Sequence, residues 1–466
     1  MKKLLCLATL LVCTLLLVLL VGCGSETAAT EDTTAQTVAS TQATTAPVTT
    51  PETTEALVTT APETTKDPLT ENGIPKKKLA KVSELVGEKD FKNEALALMK
   101  LIIRDYYDLP RNRVLDGNGN QITLWAVGSF LEALTSVYKA FPDDADLKKA
   151  YTGLLDRGLI QYKVIFQKEK VNGVTPYYYN ASAGNTGDYY YDDDEWIAIQ
   201  YMEAYKILGD EKYLTRAQEI MEFLWLGWGI QSDESLGNGG IPWHCNGKNP
   251  NTCSNAPAAY AFAVFSTLTK DEALSEEYLN RAKTVYDWVR KYLRSPENIS
   301  LYKDSPDNNW SGSYNNGLMI AAGAKLYEIT QDKNYLNHAQ LTTRASFKHN
   351  IKTENGHTKF ENDSENPGMN AWLGKGWYEF YKVDSKNTNT YLNTACKIMG
   401  FALDNRLESG YFRIRLDEGP ECTWTENGNK LVNDFASNDC VNLGGGVSLL
   451  MTLAEWAELY GSNYQK

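Results

Sequence analysis

Four acidic residues stand side by side in the stretch Tyr189-Tyr190-Tyr191-Asp192-Asp193-Asp194-Glu195-Trp196. Adjacent like charges repel, so such a run needs a reason. Cleaving a sugar–sugar bond supplies one. It asks for one carboxyl group that is protonated, to release the leaving oxygen, and a second that is ionised, to receive the anomeric carbon. Neighbouring carboxyls that share a site drive their pKa values apart by mutual repulsion. The same acids would also suit a helix start, where Asp caps the backbone and acidic side chains face the positive end of the macrodipole. An apolar stretch, Trp196 to Leu208, does follow. The three tyrosines just before the acids favour the sugar site, since a cap has no use for an aromatic wall.

The elements that must position these acids occupy only part of the 466 residues. Lys2 and Lys3, the apolar run Leu4 to Val21, and its end Leu20-Val21-Gly22-Cys23 read as an export signal over residues 1–23. The final tetrapeptide resembles a bacterial lipobox, with Cys23 as the lipidated residue. An uncleaved anchor is the other reading, because the run is just long enough to span a bilayer. Either way the remainder is expected outside the cytoplasmic membrane, held at its outer face on the cell surface. Residues 24–75 are rich in Thr, Ala, Glu and Pro with almost no large apolar side chains, which predicts a disordered tether. The folded domain is expected over residues 76–466.

Within that domain, helical spacing of apolar residues marks about twelve segments. They are 91–107, 124–140, 145–168, 194–208, 211–226, 256–268, 275–293, 313–329, 333–350, 369–382, 388–403 and 444–461. A phrase recurs between them, Lys206-Ile-Leu-Gly-Asp210-Glu-Lys-Tyr-Leu214 and Tyr327-Glu-Ile-Thr-Gln-Asp332-Lys-Asn-Tyr-Leu336, with looser copies at Phe141-Pro-Asp-Asp144 and Thr269-Lys-Asp271. Each copy reads as the short turn of a helical hairpin. Six hairpins predict an all-α (α/α)6 barrel, a six-hairpin toroid. Ala256 to Leu268 and Leu318 to Leu326 are apolar enough for its inner helices. The longer connections, around 169–193, 227–255, 294–312, 351–368 and 404–443, alternate with the tight turns and should build a site at one end.

The run YYYDDDEWIAIQYMEAYKILGD resembles the signature of glycoside hydrolase family 76, the bacterial endo-α-1,6-mannanases, whose usual form is close to YYDDN-x-W. Gly239-Gly240-Ile241-Pro242-Trp243 leading to Cys253-Ser254-Asn255-Ala256, then Tyr314-Asn315-Asn316-Gly317, then Lys375-Gly376 agree in order and spacing. The resemblance covers residues 95 to 460. It implies an (α/α)6 fold and retaining hydrolysis of α-mannan or manno-oligosaccharides, with Asp192 as nucleophile and Asp193 as general acid/base. Asp194 departs from the commoner Asn and would either raise the pKa of Asp193 or cap the helix. Retention requires the two carboxyls to stand about 5–5.5 Å apart. Adjacent residues of a strand point to opposite faces, so the pair must lie where loop becomes helix. Tyr190, Tyr191, Trp243, Trp310 and Tyr314 are candidates for stacking on sugar faces, and Ser254, Asn255, Asn315 and Asn316 for bonding hydroxyls.

No cofactor and no metal is expected. His244, His338, His349 and His357 lack i, i+4 pairing and a zinc-finger Cys pair, and the stretch Asp116-Gly-Asn118-Gly-Asn120 lacks the Gly and Glu a calcium loop needs. Cys245 with Cys253, and Cys422 with Cys440, read as disulfides within long loops, leaving Cys396 as a small apolar residue. A net charge of −13 argues against nucleic acid as a partner. A monomer is expected. The rival readings are a non-catalytic surface glycan-binding protein and another hydrolase or transglycosylase on the same toroid. The paired acids disfavour the first, because a neutral glycan can be held without them.

Overall fold

The computed structural model describes residues 70–71, 74–75 and 89–465, apart from 118, 185, 231–232, 248, 355, 361–366, 386–388, 408–409 and 413–436. The expected signal peptide with Cys23 lies outside the described residues. So does the expected tether, except for Thr70–Glu71 and Ile74–Pro75, which pair as a two-residue antiparallel ladder. Among the described residues no helix is long and apolar enough to cross a membrane.

Among the described residues twelve α-helices form two concentric layers. The outer helices are α1 (Phe91–Tyr106), α3 (Ala145–Gly153), α5 (Glu211–Leu226), α7 (Glu272–Tyr292), α9 (Lys333–Asn350) and α11 (Asn389–Asp404). Alternating with them are the inner helices α2 (Leu124–Ala140), α4 (Tyr191–Leu208), α6 (Thr252–Ser266), α8 (Ser313–Thr330), α10 (Pro367–Val383) and α12 (Ser437–Gln465). Each inner helix packs on the next, α2 on α4, α4 on α6, α6 on α8, α8 on α10 and α10 on α12, and α12 returns to α2 to close the ring. This is the expected (α/α)6 toroid.

The sequence sorts the two layers by how much of each helix is apolar. An outer helix needs only one stripe, and α7 buries Tyr278, Arg281, Ala282, Val285, Tyr286 and Val289 at steps of three and four. An inner helix is covered on every side, and α8 buries every residue from Ser313 to Ala324. Small side chains let inner neighbours approach closely. A Cβ at Gly317 of α8 would stand 2.2 Å from the carbonyl oxygen of Trp372, and one at Gly376 of α10 would stand 2.3 Å from that of Gly317. The Gly317 and Lys375-Gly376 motifs are therefore the contact between two staves of the ring.

The recurring phrase is the tight turn at the other end. Asp144, Asp210, Asp271 and Asp332 are the N-caps of α3, α5, α7 and α9, and each side chain accepts a bond from a backbone N–H of the following turn. Gly209 and Gln331 end α4 and α8 in the left-handed conformation that such a reversal requires.

Several segments differ from expectation, among them α7 and α12, which begin three and seven residues earlier than expected. The helix expected over 145–168 ends at Gly153 and loosens into one π-type turn, Leu154–Gly158, and one 3₁₀ turn, Leu159–Gln161. It presses there on the Asn112 backbone, where a Cβ at Gly158 would stand 2.2 Å from the Asn112 carbonyl oxygen. The chain then forms a ribbon, Lys163–Ile165 paired with Tyr177–Tyr179. Helix α4 begins three residues earlier than expected and α6 four, which moves functional candidates from loops into first turns.

Candidate active site

A cavity of about 390 Å³ opens where the inner helices begin. Thr123 and Trp125 at the start of α2, Asp192 and Asp193 of α4, Cys253 of α6, Tyr314 and Asn315 of α8, and Met369 and Trp372 of α10 all face it. Five inner helices thus direct their N-terminal turns, with their unpaired N–H groups and positive dipole ends, at one space. Glu132 and Ser129 line it from deeper in α2, and Glu132 forms an ion pair with Lys375 of α10.

None of the four acids caps α4. Its N-cap is Tyr190, whose extended backbone (φ −120°, ψ 132°) turns into the helix without a side-chain cap. Asp192 and Asp193 therefore sit at the loop-to-helix junction that a matched pair requires. Two antiparallel hydrogen bonds set this junction: Tyr191 N–H donates to the Trp243 carbonyl at 3.0 Å, and Cys245 N–H to that of Tyr189 at 3.1 Å. The Trp243 indole Nε1–H then donates to Asp192 Oδ2 at 3.2 Å, and the Asp193 backbone N–H to Asp192 Oδ1 at 3.2 Å.

The two carboxyls have unlike surroundings. Burial pushes Asp192 up to about 7, while hydrogen bonds from Trp243 and the Cys253 thiol favour its ionised form. Asp193 is buried and has no such donor to relieve it. Burial first, then the charges of Asp192, Asp194 and Asp188, hold it well above the usual carboxylate range. These unlike surroundings favour the anion on Asp192 and the proton on Asp193. An ionised carboxylate beside a protonated one can attack an electrophilic carbon while its neighbour donates a proton to the departing group.

Asp194 and Glu195 point away from the cavity. Asp194 Oδ1 accepts from the Tyr179 backbone N–H at 2.8 Å, tying the ribbon to α4. Burial holds it well above the usual range, against that hydrogen bond and with Asp192 adding to the rise. A folded-state pKa above the unfolded one means that its contribution to stability is whole below about pH 4 and is lost as pH rises through the folded value. Asn does not titrate and keeps an oxygen for Tyr179. Asp194→Asn is therefore expected to raise the melting temperature by a few degrees at about pH 8 and by less at about pH 5. An equal change at both pH values would show that Asp194 does not bring this cost. Glu195 is wholly buried, neither of its oxygens has a hydrogen-bond partner among the described residues, and burial together with Asp192 and Asp194 favours its neutral form.

Of the sugar-contact candidates, Tyr190, Trp243, Trp310, Tyr314 and Asn315 line the cavity. Trp243 and Trp310 are the most exposed of these, and Tyr190 packs on Trp243 with ring centroids 5.0 Å apart. Four candidates are corrected. Tyr191 is buried, stacked on Phe223 at 4.9 Å. Ser254 and Asn255 are fully buried in the first turn of α6, where Ser254 Oγ donates to the Ile241 carbonyl and Asn255 both donates to that carbonyl and accepts from the Ile241 N–H. Asn316 accepts from the Tyr302 N–H and donates to the Gly312 carbonyl. These three polar side chains anchor the long connections to the inner helices and leave no group free for a hydroxyl.

The expected Cys245–Cys253 disulfide is absent, since both thiols are free. Cys253 turns inward to Asp192, whereas Cys245 lies against His244 and Gly187. Cys422 and the side chain of Cys440 lie outside the described residues, and Cys396 is buried in α11 as a small apolar residue. Asp304, Trp125 and Trp372 escaped the sequence reading, and Cys253 entered it as part of a motif and as a disulfide partner only. Asp304 lines the cavity, and Asn308 and Asn251 donate to its Oδ2 at 3.2 and 3.3 Å. Among the described residues one group has the donors for a metal ion, namely Asp188, His244 and Cys245 beside Tyr190.

The chain matches the profile of Glycosyl hydrolase family 76 over residues 90–408. No curated protein sequence matches it. Among solved structures it is similar to a family 76 α-mannanase of Bacteroides thetaiotaomicron, at 19% identity and TM-score 0.66, over 81% of this chain and 99% of that one. A family 76 mannosidase of the same species matches at 21% identity and TM-score 0.63, over 80% and 99%. An α-1,6-mannanase of Salegentibacter sp. matches at 21% identity and TM-score 0.60, over 79% and 100%. That last structure is an inactive variant with two consecutive aspartates replaced by asparagine, in complex with α-1,6-mannotriose.

Proposed function

The chain belongs to glycosyl hydrolase family 76, and from that membership we propose that it is a retaining glycosidase cleaving internal α-1,6-mannosidic bonds of mannan. The observation that carries this reading is the Asp192–Asp193 pair lining an aromatic cavity, one member favoured as an anion by two donors and the other driven by burial towards its protonated form. The inactive Salegentibacter variant lends support, since the residues replaced there are likewise consecutive aspartates.

In the first step an Asp192 oxygen attacks the anomeric carbon. The glycosidic C–O bond breaks, and the leaving oxygen takes the Asp193 proton. This forms a mannosyl ester on Asp192 and an Asp193 carboxylate. A water molecule then gives its proton to Asp193 and its oxygen to the anomeric carbon, which frees Asp192. Two displacements at one carbon restore its configuration. The exposed indoles of Trp243 and Trp310 offer faces for flanking sugars.

The test is to incubate the protein with unbranched α-1,6-mannan, size the products, and follow the first-formed anomer by NMR. A ladder of oligosaccharides born as α-anomers is expected. β-Anomers would exclude retention, mannose alone would exclude internal cleavage, and binding without products would leave a glycan-capture protein. We further propose that lipid on Cys23 holds the enzyme at the outer face of the cytoplasmic membrane. Fractionation of cells making Cys23→Ala tests this, with transfer from membrane to soluble fractions expected and unchanged partition counting against it.

A further inference from the structure

Beside the cavity, three side chains from two distant segments converge. His244 Nε2 lies 2.7 Å from Asp188 Oδ1 and 3.4 Å from Cys245 Sγ, and the three donor atoms all lie within 4.8 Å of one another. The convergence follows from the local pairing of residues 188–191 with 243–246, in which Tyr190 stands opposite His244. The sequence could not display it as a motif, because Asp188 and His244 are 56 residues apart.

A Cys-His-Asp set suggests a nucleophilic triad, but the geometry is wrong for one. In a triad the orienting acid takes one ring nitrogen and the nucleophile the other. Here acid and thiol face the same nitrogen, and Nδ1 takes the Asn246 backbone N–H at 3.3 Å. Carboxylate oxygen, imidazole nitrogen and thiol sulfur around one point are instead a zinc donor set, with a fourth position left for water. Magnesium and calcium, which want oxygen ligands, fit it poorly.

We propose that Asp188, His244 and Cys245 form a binding site for a zinc-class divalent cation. Tetrahedral ligands held at roughly 2.0–2.3 Å from such an ion stand roughly 3.3–3.7 Å from one another. The Sγ–Nε2 separation already matches, and the exposed Asp188 carboxylate has room to move back. On binding, the Cys245 thiol releases its proton to solvent and the imidazole proton moves to Nδ1, which gives up the longer contact to Asn246. The ion would clamp the strand that enters α4 to the segment bearing Trp243, whose indole holds Asp192. Metal occupancy would thereby stiffen the support of the Asp192 carboxylate. This site stands apart from the glycosidase reading and survives if that reading fails.

The test is titration of the full-length chain with cobalt(II) chloride, followed by zinc(II) chloride. One equivalent of cobalt is expected to produce a near-ultraviolet thiolate-to-cobalt charge-transfer band that zinc abolishes. Cys245→Ser should lose the band, Cys253→Ser should keep it, and Asp188→Asn and His244→Gln should weaken cobalt binding at least about tenfold. Zinc should raise the melting temperature of the wild type and not of Cys245→Ser, a comparison that also verifies that the variant is folded. No band at stoichiometric cobalt, or a band that persists in Cys245→Ser, overturns the proposal.

Discussion

Asp192→Asn is expected to lower kcat/KM on α-1,6-mannan by about 10⁴-fold or more, because the amide oxygen is a far weaker nucleophile. Asp193→Asn should lose about 10²–10⁴-fold on mannan, the span general-acid catalysis contributes, but much less on a mannosyl fluoride, whose leaving group needs no proton. That difference separates the two roles. If both variants lost equally on the fluoride, or if Asp192→Asn kept more than a few per cent of activity, the assignment would be wrong. The acid limb of the pH profile checks the same pair. With Asp192 pushed up to about 7, kcat/KM should fall as pH drops below neutrality, while the protonated Asp193 sustains activity on the alkaline side. The limb belongs to the pair and not to either residue alone.

Glu222→Ala should destabilise the fold by about 3 kcal/mol without touching the cavity, the low end of the usual cost of removing one partner from a buried ion pair. Glu222 of α5 is wholly buried, and Arg281 of α7 donates to its Oε2 at 3.0 Å. Its other oxygen accepts from the Tyr278 hydroxyl at 2.7 Å and from Asn172 Nδ2 at 2.9 Å. The guanidinium also lies over the rings of Tyr278 and Trp225, at 4.7 and 5.0 Å. One carboxylate therefore joins two outer helices and the loop of the Lys163–Tyr179 ribbon. Removing it leaves the buried Arg281 guanidinium with one acid partner, the partly exposed Glu277 of its own helix. The measurement is the urea midpoint at constant m. Replacing both partners by Met should recover most of the loss, and a single-variant cost under about 1 kcal/mol would show that water reaches Arg281.

The ring was legible because its evidence is local and repeats. Four Asp N-caps recur at one kind of turn, and the all-round apolar character of α6 and α8 is written in consecutive residues. The Asp192–Asp193 pair was legible for the same reason, four acids standing in consecutive positions. What failed was whatever depends on where a helix starts. Ser254 and Asn255 looked like loop residues with free polar groups, but α6 begins at Thr252, and their side chains turn back on Ile241. Tyr191 looked like part of a platform, but one residue of helical rotation sends it into Phe223 while Tyr190 stays in the cavity. Asp304 was missed because nothing within its loop marks it. It becomes a site residue only when α6 and α8 bring Asn251 and Asn315 beside it. The length of α3 was set by a collision with Asn112, far away in sequence, which no local pattern encodes.

The closure of the ring by α2 and α12 constrains the order of assembly. Lys139 of α2 donates to Glu455 of α12 at 3.1 Å across 316 residues of chain. As the polypeptide emerges from the ribosome, hairpins between α2 and α10 can pair with their successors, but α2 has no second inner-helix neighbour until α12 arrives. Until then the nascent arc is an open crescent with an apolar seam at each edge, prone to closing on another copy or on a chaperone. The final stave adds the contacts of longest range, so its docking is expected to be the slow event in folding. The mouth shaped by the first turns of the inner helices becomes a complete enclosure only when that gap is filled.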